Sequence, residues 1–485
     1  MSTRIHPLQT TSLIRDSYLR YLKTIYPFQE QDLRDQFWRA LETPDLLVKG
    51  PLLEASPPFE LGRSIERLIL DRVLHPRFRA LCNDALPLER PLYLHQDQGI
   101  AKTVRDGRNV IIATGTGSGK TETFLIPILD HLLQEGVAGT LDQPGVRALL
   151  LYPMNALAND QLKRLRRVLG NSPAITFGRY TGETRETEIQ AETAFRDQFP
   201  HEPRLPNELI SRVQMRETPP HILLTNYAML EYLLLRPQDC EFFDGETGQH
   251  WRFLVLDEAH VYDGASGIEM AMLLRRLKDR VVGSEPGRLR CLATSATLGR
   301  GVEDFPDVSA FATELFGERF EWVDGDPQRQ DVVSATRLPL AALGTPWGRG
   351  EPELYVDLQQ ALPTGEVIPQ GADDVLAGTA IRHGVPPDVL EEAQSKPERG
   401  GQDAVNRLLY MLLRGDEHLR LLQDRLAGSP GFLRDLAADV FPEREDASER
   451  LINLVNLAVR ARPNPESLSL LPARYHVFGR ALEGA

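Results

Sequence analysis

Nine consecutive residues, Ala113 to Thr121 (ATGTGSGKT), carry the densest chemistry in the chain. Glycines at 115, 117 and 119 allow a tight turn whose backbone N–H groups close around an anion. A helix opening at Lys120 adds the positive end of its dipole. The Lys120 ammonium would reach β- and γ-phosphates, and the Thr121 hydroxyl would ligate Mg²⁺. The phosphate-binding candidates are therefore Thr114, Gly115, Thr116, Gly117, Ser118, Gly119, Lys120 and Thr121. The strict pattern has glycine where this chain has Thr114. A second constellation, LVLDEAH, sets Asp257, Glu258 and His260 just after an apolar run. Ligands of open parallel sheets sit beyond the carboxyl ends of the strands. Asp257 would there hold Mg²⁺, and Glu258 would polarise an attacking water as general base. Alone, such an acidic pair is more often a solvated turn or a cap; beside a phosphate loop it reads as catalytic, together with Lys120.

Rigid elements must hold these groups. Between Asn109 and about residue 317, the strand-like runs NVIIAT, RALLLYP, HILLTNY, FLVLDEA and RCLATSAT alternate with helical stretches such as TETFLIPILDHLLQE and GIEMAMLLRRLKDRV. Runs so uniformly apolar predict an α/β fold, a parallel sheet with helices on both faces. A polar stretch at about 183–220 reads as an exposed insertion. Residues 1–90 read as amphipathic helices broken by the loop VKGPLLEASPPFELG. Beyond residue 330 the strands stop, and a Gly/Pro-rich connector leads into helices, the closing RYHVFGRALEGA included. The expected organisation is thus an N-terminal helical segment (1–90), an α/β domain (91–330) and a C-terminal all-helical region (331–485).

A length of 485 residues suggests roughly three folded units. With 41% hydrophobic and 26% charged residues, the composition is that of a folded chain, not a disordered one. No apolar run approaches the ~18 residues of a membrane span, and the N-terminus lacks the apolar core of a secretory signal. Cys82, Cys240 and Cys291 stand alone, which argues against a disulfide framework or a zinc site and for a cytoplasmic, reducing location. The net charge of −14 is uneven. Residues 311–485 hold 28 acidic and 18 basic side chains, so the remainder is close to balance and can still offer phosphate-binding patches.

Further segments fall in a familiar order around these two sites: YLHQDQGI, ATGTGSGKT, YPMNALANDQ, YTGET, TNYAML, LDEAH and TSAT. As a set they resemble motifs Q, I, Ia, Ib, Ic, II and III of the first motor domain of DEAD/DEAH-box, superfamily 2 helicases. The wording NALANDQLKRLR, FGRYTGET and HILLTNYAMLEYLLLRP is similar to the MrfA-like helicases. The resemblance implies a RecA-like domain with ATP and Mg²⁺ as cofactors and nucleic acid, single-stranded DNA by preference, as partner. It gives Gln96 the adenine edge, and makes His260, Ser295 and Thr297 the link between nucleotide and nucleic acid. It sets Pro153, Asn155, Thr181, Gly182, Thr225 and Asn226 along one strand. The basic run Lys163, Arg164, Arg166 and Arg167 is then either a further grip or, slightly favoured, solvated surface. A complete motor has a second RecA-like domain carrying an arginine finger, and no such alternation follows residue 330. The chain is therefore expected to be the N-terminal half of an ATP-dependent helicase or translocase, working in DNA repair or defence. It would be weakly active alone and would need a second domain from the same protein or a partner subunit. The other reading is an ATP-binding regulatory or scaffold subunit of a nucleic-acid processing or defence complex.

Overall fold

The five apolar runs do form strands, and they sit side by side at the centre of one sheet. The computed structural model describes residues 6–43, 45–55, 59–115, 118–296, 301–336, 338, 343–362, 369, 371–394, 401–427, 429–464 and 469–480. The sheet strands are β1 (Val110–Ala113), β2 (Ala148–Tyr152), β3 (Phe177–Arg179), β4 (Glu208–Leu209), β5 (Ile222–Asn226), β6 (Phe253–Leu256), β7 (Arg290–Ser295) and β8 (Val332–Ser334). Their order is β8-β1-β7-β6-β2-β5-β3-β4, and every neighbouring pair is parallel.

Successive strand residues point to opposite faces, and each face has its own helical cover. Ile112, Leu150, Leu224 and Val255 pack with residues of α1 (Leu94–Val104), α2 (Lys120–Ala138) and α3 (Asn155–Leu169). Ile111, Leu151, Leu223 and Leu256 pack with residues of α4 (Tyr227–Leu235), α5 (Gly264–Val282) and α6 (Phe305–Phe316). Burial on both faces is why the runs are apolar throughout instead of alternating. The result is the helix-covered parallel sheet expected from the sequence.

The boundaries differ from those expected. The chain forms two compact units, Phe59–Thr336 and the pair of segments Met1–Pro58 and Arg337–Ala485. Residues 59–90 belong with the sheet: Ile65, Leu68, Phe78 and Leu81 pack into the cluster around α2, and His75 N donates to Asp130 of α2 at 2.6 Å. The stretch 183–220 is folded onto the sheet, with helices Glu188–Gln198 and Arg212–Glu217 flanking edge strand β4. Two polar side chains fasten it. The Asn207 amide donates to the carbonyls of Leu169, Ser172 and Ile175, and the buried Arg166 guanidinium binds Glu208.

The second unit is not all-helical. Val48–Ala55, read as a loop, is the central strand of a three-stranded antiparallel sheet between Gly431–Phe432 and Ala473–Gly479. Ala473–Gly479 was expected to be helical. Its aromatic and β-branched residues instead pair with Val48–Ala55 in register Leu52↔His476, and His476 Nε2 meets Glu54 Oε2 at 2.6 Å. Helices from Pro352–Ala361 to Ala447–Arg460 bury Leu358, Leu409, Leu422 and Leu454 in a core that includes Leu53 of the central strand. Among the described residues no helix is long and apolar enough to cross a membrane.

Candidate active site

β1 ends at Ala113 between β8 and β7, and the chain then turns into α2. Thr114 N donates to Ser295 O of β7 at 3.0 Å, which pins the start of the turn. The buried hydroxyls of Thr114 and Ser118 are hydrogen-bonded to each other, so both side chains shape the loop from inside. Gly119 caps α2 in the left-handed region at φ 71°, and a Cβ there would lie 2.3 Å from Gln96 Nε2. Only glycine fits. Gly115 faces open space, Thr121 is half-buried on the first turn of α2, and Thr116 and Gly117 lie outside the described residues.

Helix α1 fastens this loop from below. Gln96 Nε2 donates to Gly119 O at 2.8 Å, while its Oε1 accepts from Tyr93 N at 2.8 Å. The adenine candidate is thus placed under the phosphate loop, 4% exposed. His95 Nε2 lies 2.8 Å from Ser118 O. A carbonyl accepts, so the ring proton sits on Nε2. Burial pushes the His95 imidazolium down to about 4, which keeps the ring neutral at pH 7.

The acidic pair faces the loop. Lys120 Nζ donates to Glu258 Oε1 at 2.8 Å, with Lys120 9% exposed. Asp257 N donates to Leu151 O of β2 at 2.9 Å, and Glu258 then takes a left-handed conformation at φ 51° that ends the strand abruptly. Thr294 of β7 stands between the two acids. Its hydroxyl donates to Asp257 Oδ1 and accepts from Glu258 N, the latter at 3.1 Å. Burial pushes the Asp257 carboxyl above its usual range, against the Thr294 hydrogen bond. Glu258 Oε2 is buried without a hydrogen-bond partner among the described residues. His260 Nδ1 lies 3.2 Å from Ser295 Oγ and 3.4 Å from Glu258 Oε2, so two of the three coupling candidates touch; Thr297 lies outside the described residues.

The remaining candidates gather at the carboxyl ends of β2, β3 and β5. Tyr152 and Asn226 are register partners, and Asn226 Nδ2 donates to Asn155 Oδ1 at 2.7 Å. Asn155 Nδ2 donates to Glu183 Oε1 at 3.2 Å. Gly182 is exposed and Pro153 half-exposed, whereas Thr181 and Thr225 are buried. Thr225 Oγ1 donates to Tyr180 O at 2.6 Å, and Thr181 N donates to Thr184 Oγ1 at 2.9 Å; both residues brace the turn. In the basic run, Arg164 pairs with Glu122 and Arg166 is buried between Glu208, Phe195 and Phe199, which leaves Lys163 and Arg167 exposed.

The DEAD/DEAH box helicase family model matches residues 93–305. Those residues are a DEAD/DEAH box helicase domain. Over 98% of its length the chain is 28% identical to the Druantia protein DruE of Escherichia coli (strain UMEA 4076-1) and covers 30% of that protein. It is 30% identical to the ATP-dependent helicase Lhr-Core of Methanothermobacter thermautotrophicus, over 37% of this chain and 19% of the relative. The chain therefore spans less than a third of either relative. The crystal structure of the DUF1998 helicase MrfA bound to DNA aligns with 72% of this chain and 44% of its own, at 17% identity and a TM-score of 0.38.

Within this helicase domain, sequence reasoning missed Thr294, His95, Arg179 and Glu183. Thr294 was accessible in principle, because the run RCLATSAT, set beside FLVLDEA, places it next to the acidic pair. The roles of His95 and Arg179 arise from tertiary placement and have no local signal.

Proposed function

We propose that the helicase domain binds ATP with Mg²⁺ between its phosphate loop and its acidic pair, and uses hydrolysis to act on nucleic acid as the first half of a two-domain motor. The observation that carries this reading is the 2.8 Å contact between Lys120 Nζ and Glu258 Oε1, with Asp257 and Thr294 alongside. The donor set suits the group: Mg²⁺ is held by one or two carboxylates plus substrate phosphates, and the Asp257 carboxylate, oriented by Thr294 at the end of β6, supplies one. Asp257 and Thr121 would hold the ion, which when bound supplies charge neutralisation at the phosphates.

The chain's own groups do the rest. Lys120 exchanges its carboxylate partner for phosphate oxygens, which frees Glu258 to orient a water and accept its proton. Gln96, bonded to the loop through Gly119 O, reads the adenine edge and reports on loop position at once. His260 and Ser295 pass the state of Glu258 to β7. Gly182, Pro153, Asn155 and Asn226 then meet one strand, single-stranded DNA in this reading, through backbone and amide groups that do not read bases. The arginine finger comes from a second RecA-like domain. Its lack costs ~10³–10⁵ in turnover in related phosphoryl transfer, so the chain alone hydrolyses ATP slowly.

Calorimetry of ATP·Mg²⁺ binding tests the site. Lys120→Ala is expected to weaken binding by about 2 kcal/mol, the order of a charge-assisted contact. Glu258→Gln should bind ATP and lose what turnover the chain has. Equal affinity in wild type and Lys120→Ala would sink the assignment.

A further inference from the structure

The end of β3 holds an anion-binding geometry that a carboxylate of the chain itself satisfies. Arg179, the last residue of β3, has a side chain 13% exposed; its Nη1 donates to Glu183 Oε2 at 3.0 Å and also to Asn159 Oδ1. The other oxygen of the same carboxylate, Glu183 Oε1, accepts from Asn155 Nδ2 at 3.2 Å. Asn155 is in turn oriented by Asn226 from β5. A guanidinium and an amide, presented by β3 and the start of α3, thus converge on the two oxygens of one anion.

The two partners differ in how firmly they are held. Glu183 sits 51% exposed on the turn 181–184, where an ion pair adds at most ~1 kcal/mol and is screened by salt. Arg179 is enclosed, and burial pushes its guanidinium down from its usual range, with Glu183 first among the charges that oppose this and Glu208 a further one. Glu208 is itself engaged by Arg166. An enclosed guanidinium keeps an anionic partner, whereas an exposed carboxylate can swing into water at little cost. The anion at Arg179 is therefore exchangeable, and a phosphodiester offers the same pair of oxygens.

We propose that Arg179 and Asn155 form a phosphate subsite for a nucleic-acid backbone, held by the Glu183 carboxylate until a phosphate displaces it. The inference rests on the reading that this domain binds nucleic acid, and adds to it a residue, Arg179, and a competitor, Glu183. Glu183 then lowers affinity for every sequence alike, because the contact reads no base.

The test is fluorescence anisotropy of the full chain with labelled oligo-dT across a KCl series. Glu183→Gln keeps the size and an acceptor but removes the charge. It should bind about three- to tenfold tighter, with a log–log salt slope steeper by about 0.7, one phosphate of a single strand. In an Arg179→Lys background the gain from Glu183→Gln should shrink, and in an Arg179→Ala background it should vanish. ATP affinity and the thermal midpoint of each variant report whether the fold is intact. Wild-type affinity and slope in Glu183→Gln overturn the subsite while leaving nucleic-acid binding in place. No oligonucleotide binding by wild type or Glu183→Gln, with ATP binding retained, overturns the nucleic-acid reading and the subsite with it.

Discussion

Thr294 is where the two acids of the site meet, and one hydroxyl serves both. Replacing it with valine keeps the shape but leaves Glu258 N–H without its acceptor and Asp257 without its donor. An unsatisfied buried donor costs about 1–3 kcal/mol. Thr294→Val should therefore unfold at lower urea by that amount and raise the Asp257 carboxyl further, whereas Thr294→Ser should restore most of both. Urea titration with tryptophan fluorescence reads the difference; an unchanged midpoint in Thr294→Val would contradict the bridging role. At this scale the sequence announced Lys120, Asp257 and Glu258, because Gly-rich turns and acidic pairs next to apolar runs are local patterns. It did not announce Thr294, whose role depends on which strand lies beside β6. Nor did it show that Thr181 and Thr225 are interior braces, since a small polar residue at a strand end looks the same buried or exposed.

Among the elements, the turn after β3 depends on a buried polar knot. Tyr180 OH donates to Asp239 Oδ1 at 2.9 Å, Arg216 Nε donates to the same oxygen at 2.7 Å, and Arg216 Nη2 donates to Tyr180 OH at 2.7 Å. Asp239 is fully buried, and Asp239→Ala leaves Tyr180 OH and Arg216 Nε without their acceptor while Arg216 Nη1 keeps Glu186, so it should cost about 1–3 kcal/mol. Asp239→Asn, which keeps an acceptor, should cost less. If the two variants unfold at the same urea concentration, charge pairing is not what holds the turn. The five long strands were legible because burial on both faces makes their sequences continuously apolar. β3, β4 and β8 span three, two and three residues, too short to show a period, and they were missed. Ala473–Gly479 was misread for another reason: the described residues before it are mostly helical, the sequence after it is a leucine and alanine tail, and its strand pairing lies in Val48–Ala55.

For the molecule as a whole, acid should act through buried imidazoles. His95 and His221 in one unit and His418 in the other are each pushed from the usual 6.5 to about 4 by burial. A depressed folded value contributes stability that is present above pH 6.5 and lost as pH falls towards 4, on the order of 3 kcal/mol per group. Asp257, Asp130 and Glu208 are shifted upward by burial and work in the opposite sense. The measurement is thus a difference: His95→Gln should lose less stability than wild type between pH 6.5 and 4, and parallel curves would refute it. The domain boundaries were the least legible feature, because a unit assembled from both ends of a chain leaves no mark in local composition. Glu60 N donates to Thr336 O at 2.8 Å, so the α/β unit starts and finishes at one point on its own surface. Residues 59–336 expressed alone should therefore fold and bind ATP as the full chain does, which calorimetry and circular dichroism can check. The same wiring sets a timetable for synthesis. Glu54 waits for His476, 422 residues later, which at ~5–20 residues per second is about 20–80 s of translation. During that interval the α/β unit can finish folding on the ribosome, while Val48–Ala55 lacks both neighbouring strands until Gly431–Phe432 is made and must be shielded by the cell.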